Sequence, residues 1–80
     1  MNEIVEKVRA FLTRFFRTRE IKDDENIFEL GFVNSLFAMQ LVMFLEKEFS
    51  IRIENSDLDM ENFKSINHIR EFIEKKKNKD

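Results

Sequence analysis

Apolar residues in this chain recur at helical rather than alternating spacing, and almost nothing interrupts them: there is no proline and a single glycine, Gly31. The breakers that would divide the chain into short strands and turns are therefore missing, and the fold class reads as all-α. Ile4, Val8, Phe11, Leu12 and Phe15 follow a 3.6-residue period, with Val5 and Phe16 on the flanks. Glu3, Glu6, Lys7 and Arg14 take the other face, so the spacing predicts a first helix over Asn2 to Arg17.

The next seventeen residues, Thr18 to Asn34, keep no period. A loop of that length is uncommon in a small domain and is usually functional or disordered. Disorder is disfavoured by its apolar anchors Ile21, Ile27, Phe28, Leu30, Phe32 and Val33, while Asp23, Asp24 and Asn26 are turn formers. An ordered loop ending in a turn at Gly31 is expected.

Asn34 then suits the N-cap of a second helix over Ser35 to Phe49. Its inward stripe is read as Ala38, Leu41, Val42, Leu45 and Phe49. The opposite stripe is Leu36, Gln40, Met43 and Lys47, with Phe37 and Phe44 at its edge. An outward face should be polar, so this helix is either central and buried or presents an apolar docking patch. An eighty-residue bundle has few helices with which to surround one. Leu36 and Met43 are accordingly assigned to docking, while Phe37 and Phe44 stay open between the two readings. The candidate docking set is Asn34, Leu36, Phe37, Gln40, Met43, Phe44 and Lys47.

Ser50 to Glu54 alternates like a strand but has no second strand to pair with, so it reads as a connector with Ile51 and Ile53 inward. Ser56 can cap a short helix over Asp57 to Asn62, with Leu58, Met60 and Phe63 making its contacts. Ser65 caps a last helix with Ile66, Ile69, Phe72 and Ile73 inward, and its Lys75–Lys77 end suits a helix C-terminus. The sum is one domain over residues 1–80: a small antiparallel bundle of three longer helices and one short one, with residues 75–80 a frayed tail.

Little in this sequence points to catalysis. There is no cysteine, hence no disulfide, thiol nucleophile or thiolate metal site. His68, the only histidine, is far in sequence from Ser35 and reads as an ordinary surface residue. Asp57, Asp59 and Glu61 lack the glycine turn and distal glutamate of a calcium loop, and are better explained by helix-start electrostatics; no metal site is expected. A phosphate-cradling glycine loop is excluded by the single glycine.

Residues 1–22 carry six basic and three acidic groups, residues 23–61 two and ten, and residues 62–80 six and three. The acidic middle contains Ser35, which argues against nucleic acid and for a basic protein partner. No stretch approaches a signal or membrane-spanning length, so a cytoplasmic monomer without membrane contact is expected. Ser35 itself stands at a helix start, where unpaired N–H groups and the dipole favour a phosphate ester. Since Asn34 can already supply the cap, the serine hydroxyl is available for another protein to modify.

The run Ile27-Phe28-Glu29-Leu30-Gly31-Phe32-Val33-Asn34-Ser35-Leu36 resembles the signature of the acyl carrier protein family, in which an Asp-Ser-Leu triplet bears phosphopantetheine on its serine. The similarity continues through Leu41-Val42-Met43-Phe44-Leu45-Glu46-Lys47-Glu48-Phe49, Ile51-Arg52-Ile53 and Phe63-Lys64-Ser65-Ile66, and so covers nearly the whole chain. The resemblance implies that a phosphopantetheinyl transferase, with its own magnesium, transfers 4'-phosphopantetheine from coenzyme A onto Ser35. The arm's thiol then holds an acyl or aminoacyl group as a thioester. Such a carrier is not an enzyme; its implied partners are the transferase, an acyl- or aminoacyl-loading enzyme, and acyltransferase or synthase modules.

Asn34 departs from the family's usual aspartate, and Phe37 and Gln40 replace residues commonly acidic or polar. With its Asp57-Leu58-Asp59-Met60-Glu61-Asn62-Phe63 segment, the chain looks most like stand-alone carriers of unusual malonyl-type extender units for polyketide or hybrid peptide antibiotics. A D-alanyl carrier for cell-wall polymers is the nearest alternative, and an unmodified helical interaction module the alternative from another class.

Overall fold

A computed structural model describes residues 3–16, 21–30 and 35–78. Four α-helices follow in chain order: α1 Glu3–Phe16, α2 Ser35–Phe49, α3 Met60–Phe63 and α4 Ile66–Asn78. Two single 3-10 turns, Ile27–Leu30 and Asn55–Asp57, lie between them. No strand occurs among the described residues. The expected all-helical architecture of three longer helices and one short one is therefore what the chain adopts. The Gly31 turn, the Phe32 and Val33 anchors, the Asn34 cap, and the end residues Asn2 and Arg17 of the first expected helix lie outside the described residues.

Helix α1 buries Val8 and Leu12 completely and sets Ile4, Val5, Phe11 and Phe15 against the same core. Along α1, Lys7, Phe11 and Phe15 pair in turn with Glu48, Phe44 and Phe37 of α2. The partner numbers fall as the α1 numbers rise, so the two helices run antiparallel. Their interface is built of phenyl rings: Phe11 stacks on Phe44 at 4.6 Å between centroids, and Phe15 meets Phe37 edge-on at 4.8 Å. Such ring pairs add roughly 0.5–1.5 kcal/mol each beyond the area they bury. Ile66, Ile69, Phe72 and Ile73 of α4 complete the core with Phe63 of α3.

These contacts fix the rotation of α2 differently from the sequence reading. Phe37, Leu41, Leu45 and Phe49 are the buried row, with Phe37 only 1% exposed, whereas Ala38 is exposed and Val42 half-buried. A helix that is apolar on most sides does not choose its own buried face; the rings of Phe11 and Phe15 choose Phe37.

The described part of the loop before α2, residues 21–30, is held by three attachments. Ile21 and Ile27 are fully buried. The Arg9 guanidinium donates to the Ile21 carbonyl and pairs with the Asp23 carboxylate. Two backbone hydrogen bonds then tie the loop to the corner between α3 and α4: Ile27 N–H to the Lys64 carbonyl at 2.8 Å, and Asn67 N–H to the Asp23 carbonyl at 2.9 Å. The second satisfies one of the N–H groups that the first turn of α4 leaves unpaired. Asn26 makes the turn its residue type suggested, its Oδ1 accepting from the Phe28 N–H at 2.9 Å.

After α2 the backbone turns at Ser50 with φ 55°. The connector is held by Glu46, whose Oε2 accepts from the Ile53 N–H at 2.8 Å, and Ile51 and Ile53 pack against the core as expected. The short helix differs from its expectation in start and cap. Ser56 lies inside the 3-10 turn, and Asp59 caps α3 by accepting from the Glu61 N–H at 2.9 Å. Of its three expected contacts only Phe63 is buried, while Leu58 and Met60 are exposed. Ser65 does cap α4: its Oγ, buried with the rest of the residue, accepts from the His68 N–H at 3.2 Å. The same Oγ lies 2.7 Å from His68 Nδ1. His68 is thus a half-buried partner of the cap rather than an ordinary surface residue.

Lys75–Lys77 remain helical in place of the expected fraying. Lys76 Nζ reaches Asp57 Oδ2 at 2.7 Å, and Lys77 Nζ donates to the Phe49 carbonyl at 3.2 Å. The end of α4 is thereby bound to the end of α2 and to the segment before α3.

Candidate functional site

Ser35 is the first residue of α2, at the end where the helix presents unpaired N–H groups. Position 35 shares its helix face with positions 38 and 39, and Ala38 and Met39 are both exposed. Leu36, the next residue, is 60% exposed. On the other side of the same turn Phe37 packs against Phe11 and Phe15 of α1, so the exposed side of the helix start is the one that carries Leu36, Ala38 and Met39. The turn holds no acidic residue to repel a phosphodiester. The Ser35 side chain and the Asn34 cap lie outside what the structure describes.

Of the candidate docking residues, Leu36, Gln40, Met43 and Lys47 are all exposed. Spaced four, three and four apart, they form one continuous stripe down α2. Phe44 is half-buried, stacked on Phe11 and 6.3 Å from the Phe49 ring. Phe37 is removed from the docking set: it is part of the core and no partner can reach it.

The structure also brings Met43 together with residues outside the expected docking stripe. Between α2 and α3 lies an open cleft of about 440 Å³, bounded by Phe28, Ala38, Met39, Val42, Met43, Ile53, Leu58, Met60 and Phe63. Asp59 is the only charged side chain on it among the described residues. Met39, Leu58 and Met60, all more than half exposed, form its rim. The spacing of Leu36, Met39 and Met43 at i, i+3 and i+7 carried that signal, since it marks a third apolar stripe on α2.

Asp57, Asp59 and Glu61 serve as helix-start groups. Asp57 Oδ2 accepts from the Glu54 N–H at 2.9 Å, and Asp59 caps α3 through the Glu61 N–H. Although Ser65 and His68 are adjacent, the serine is 1% exposed and occupied in capping, so the pair offers no accessible nucleophile. Among the described residues no helix is long and apolar enough to cross a membrane.

Comparison with known proteins agrees with this geometry. Residues 2–73 match the family model described as the phosphopantetheine attachment site. The chain is also similar to a D-alanyl carrier protein from Streptococcus uberis, with 29% identity over 77 residues that span 94% of this chain and 96% of the relative. The acid-free first turn of α2, with Leu36, Ala38 and Met39 exposed, fits a tethered phosphodiester. With nine-tenths of its length inside the family match, the chain belongs to the phosphopantetheine-attachment family of carrier proteins, whose group is a covalent 4'-phosphopantetheine.

Proposed function

We propose that Ser35 is the residue that bears the 4'-phosphopantetheine. The exposed stripe Leu36, Gln40, Met43 and Lys47, with half-buried Phe44 beside it, then meets the enzymes that load and use the arm. The observation that carries this reading is the placement of position 35 at the start of α2, on the face of exposed Ala38 and Met39 and next to exposed Leu36. When attached, the arm supplies a thiol that holds an acyl or aminoacyl group as a thioester. The chain's own residues do the rest. The helix start stabilises the phosphodiester charge, the stripe orients the partner, and tethering raises the local concentration of the cargo at each active site. The chain itself performs no bond-making step.

Two cargo readings follow. A stand-alone carrier of malonyl-type units for polyketide or hybrid peptide synthesis is supported by the α2 face, whose exposed members Leu36, Met39, Gln40, Met43 and Lys47 include no acid. A D-alanyl carrier is supported by the similarity to the streptococcal protein. Both act where coenzyme A and the transferase are present, which is the cytoplasm.

Incubation with coenzyme A, magnesium and a promiscuous phosphopantetheinyl transferase, followed by intact-mass measurement, tests the attachment. The chain should gain one phosphopantetheine and Ser35→Ala none; equal modification of both forms would place the arm on another residue. Offering the loaded carrier either D-alanine with its adenylating enzyme or a malonyl-type unit with its activating enzyme then separates the two cargoes. The cargo that forms a thioester identifies the role.

A further inference from the structure

Three methionines, Met39, Met43 and Met60, border the cleft between α2 and α3, and they are 62%, 64% and 66% exposed. Two come from successive turns of α2 and the third from the first position of α3. No described methionine lies in the core. The chain has no cysteine, so before the arm is attached its methionine thioethers, these three and Met1, are its most oxidisable side chains. Their neighbours on the cleft are apolar, including Ala38, Val42, Leu58 and Phe63.

We propose that Met39, Met43 and Met60 together form a peroxide-sensitive modification site whose conversion to sulfoxide makes the cleft rim polar and weakens the docking of partner enzymes. The docking half of this proposal rests on the reading of α2 as the partner face. In the chemical step a sulfur lone pair attacks one oxygen of hydrogen peroxide and an S–O bond forms as the O–O bond breaks. The departing hydroxide takes the remaining proton and leaves as water. Sulfur is oxidised by two electrons and the peroxide is reduced by two. Exposure of all three residues gives the oxidant direct access.

A thioether on this rim is covered by a partner at little cost, because it has almost no hydration to lose. A sulfoxide oxygen is a strong acceptor that must be desolvated when the surface closes over it. The core row of Phe37, Leu41, Leu45 and Phe49 contains no sulfur, so the surface changes while the fold does not. Methionine sulfoxide reductases, one for each epimer, reverse the change.

The test uses the full chain before phosphopantetheine is attached. It is treated with hydrogen peroxide, quenched with catalase, and mapped by peptide mass spectrometry. One added oxygen is expected at each of Met39, Met43 and Met60, with an unchanged melting temperature and reduced fluorescence of anilinonaphthalene sulfonate bound at the cleft. The rate of phosphopantetheine transfer at sub-saturating carrier should fall about tenfold, equivalent to 1.4 kcal/mol, and recover after treatment with both reductases. A variant carrying Met39→Leu, Met43→Leu and Met60→Leu should show the same rate before and after peroxide, whatever its starting rate.

Full oxidation with no change in dye binding or transfer rate overturns the proposal. So does an equal loss of rate in the leucine variant, which would place the damage elsewhere. A chain that accepts no phosphopantetheine even before oxidation refutes the carrier reading instead. In that case peptide mapping and dye binding still decide whether the site exists.

Discussion

Asp57 and Lys76, nineteen residues apart, meet with Oδ2 2.7 Å from Nζ, and this ion pair joins the end of α4 to the segment that leads into α3. Both side chains are about four-fifths buried, at 21% and 19% exposure. The same Asp57 oxygen accepts from the Glu54 N–H, and the Asp57 carbonyl accepts from Asn62 Nδ2 at 2.8 Å. One residue thus fixes the start and the end of the turn that carries the cleft's outer wall. Asp57→Ala should destabilise the domain by about 1–2 kcal/mol, the usual cost of losing hydrogen bonds to a charged group that is partly screened. Urea denaturation of Asp57→Ala, Lys76→Met and the double variant checks this: the double variant should lose less than the two single losses added together.

Phe37 and Met43 are six residues apart on one helix and do opposite work. Phe37 fills the space between Phe11 and Phe15 and is closed off from solvent. Phe37→Ala should cost about 3–5 kcal/mol, as other large-to-small changes of buried phenylalanine do. For a domain of this size that is a large share of the total stability. A melting temperature far below that of the parent chain is the expected outcome, with unfolding already present near room temperature.

The bounds of α2 were legible because Asn34 is a good N-cap and Ser35 to Phe49 keeps apolar residues at helical spacing with no glycine or proline to break it. The buried anchors of the preceding loop were legible too, since Ile21 and Ile27 had no other reason to be apolar. The phase of α2 was not. With apolar residues at 36, 37, 38 and 39, the local pattern fits several rotations, and only the rings contributed by α1 select one. The cap of α3 failed for a related reason. Ser56 and Asp59 are both good N-caps, and the choice fell to Asp59 because Asp57 is drawn toward Glu54 and Lys76. The lysines of α4 looked like a solvated tail because their acceptors, the Asp57 carboxylate and the Phe49 carbonyl, lie nineteen and twenty-eight residues away.

Ser50 takes φ 55° directly after α2, a conformation in which a side chain crowds the following carbonyl. Glycine is the residue usually found at that position beyond a helix, and here serine occupies it without one. Ser50→Gly should therefore stabilise the domain by about 1 kcal/mol through relief of that crowding. Thermal melting followed by circular dichroism checks it, with a higher melting temperature expected. Ser50→Val, which adds branching at the same φ, should move the midpoint the other way.

Met43 is the exposed centre of the α2 stripe, with Gln40 and Lys47 on either side. Met43→Glu places a charge where the structure leaves the side chain 64% in solvent. Its effect on stability should stay within about 0.5 kcal/mol, as for other surface changes away from packed contacts. Docking is another matter, because the partner face we propose on α2 would have to bury the new carboxylate at its apolar centre. The rate of phosphopantetheine transfer at sub-saturating carrier should fall by about tenfold, as for loss of a central interface residue, while the rate at saturation changes little. The pairing of an unchanged circular-dichroism melt with a raised half-saturation concentration is the expected result. It separates a surface that partners touch from one that merely packs.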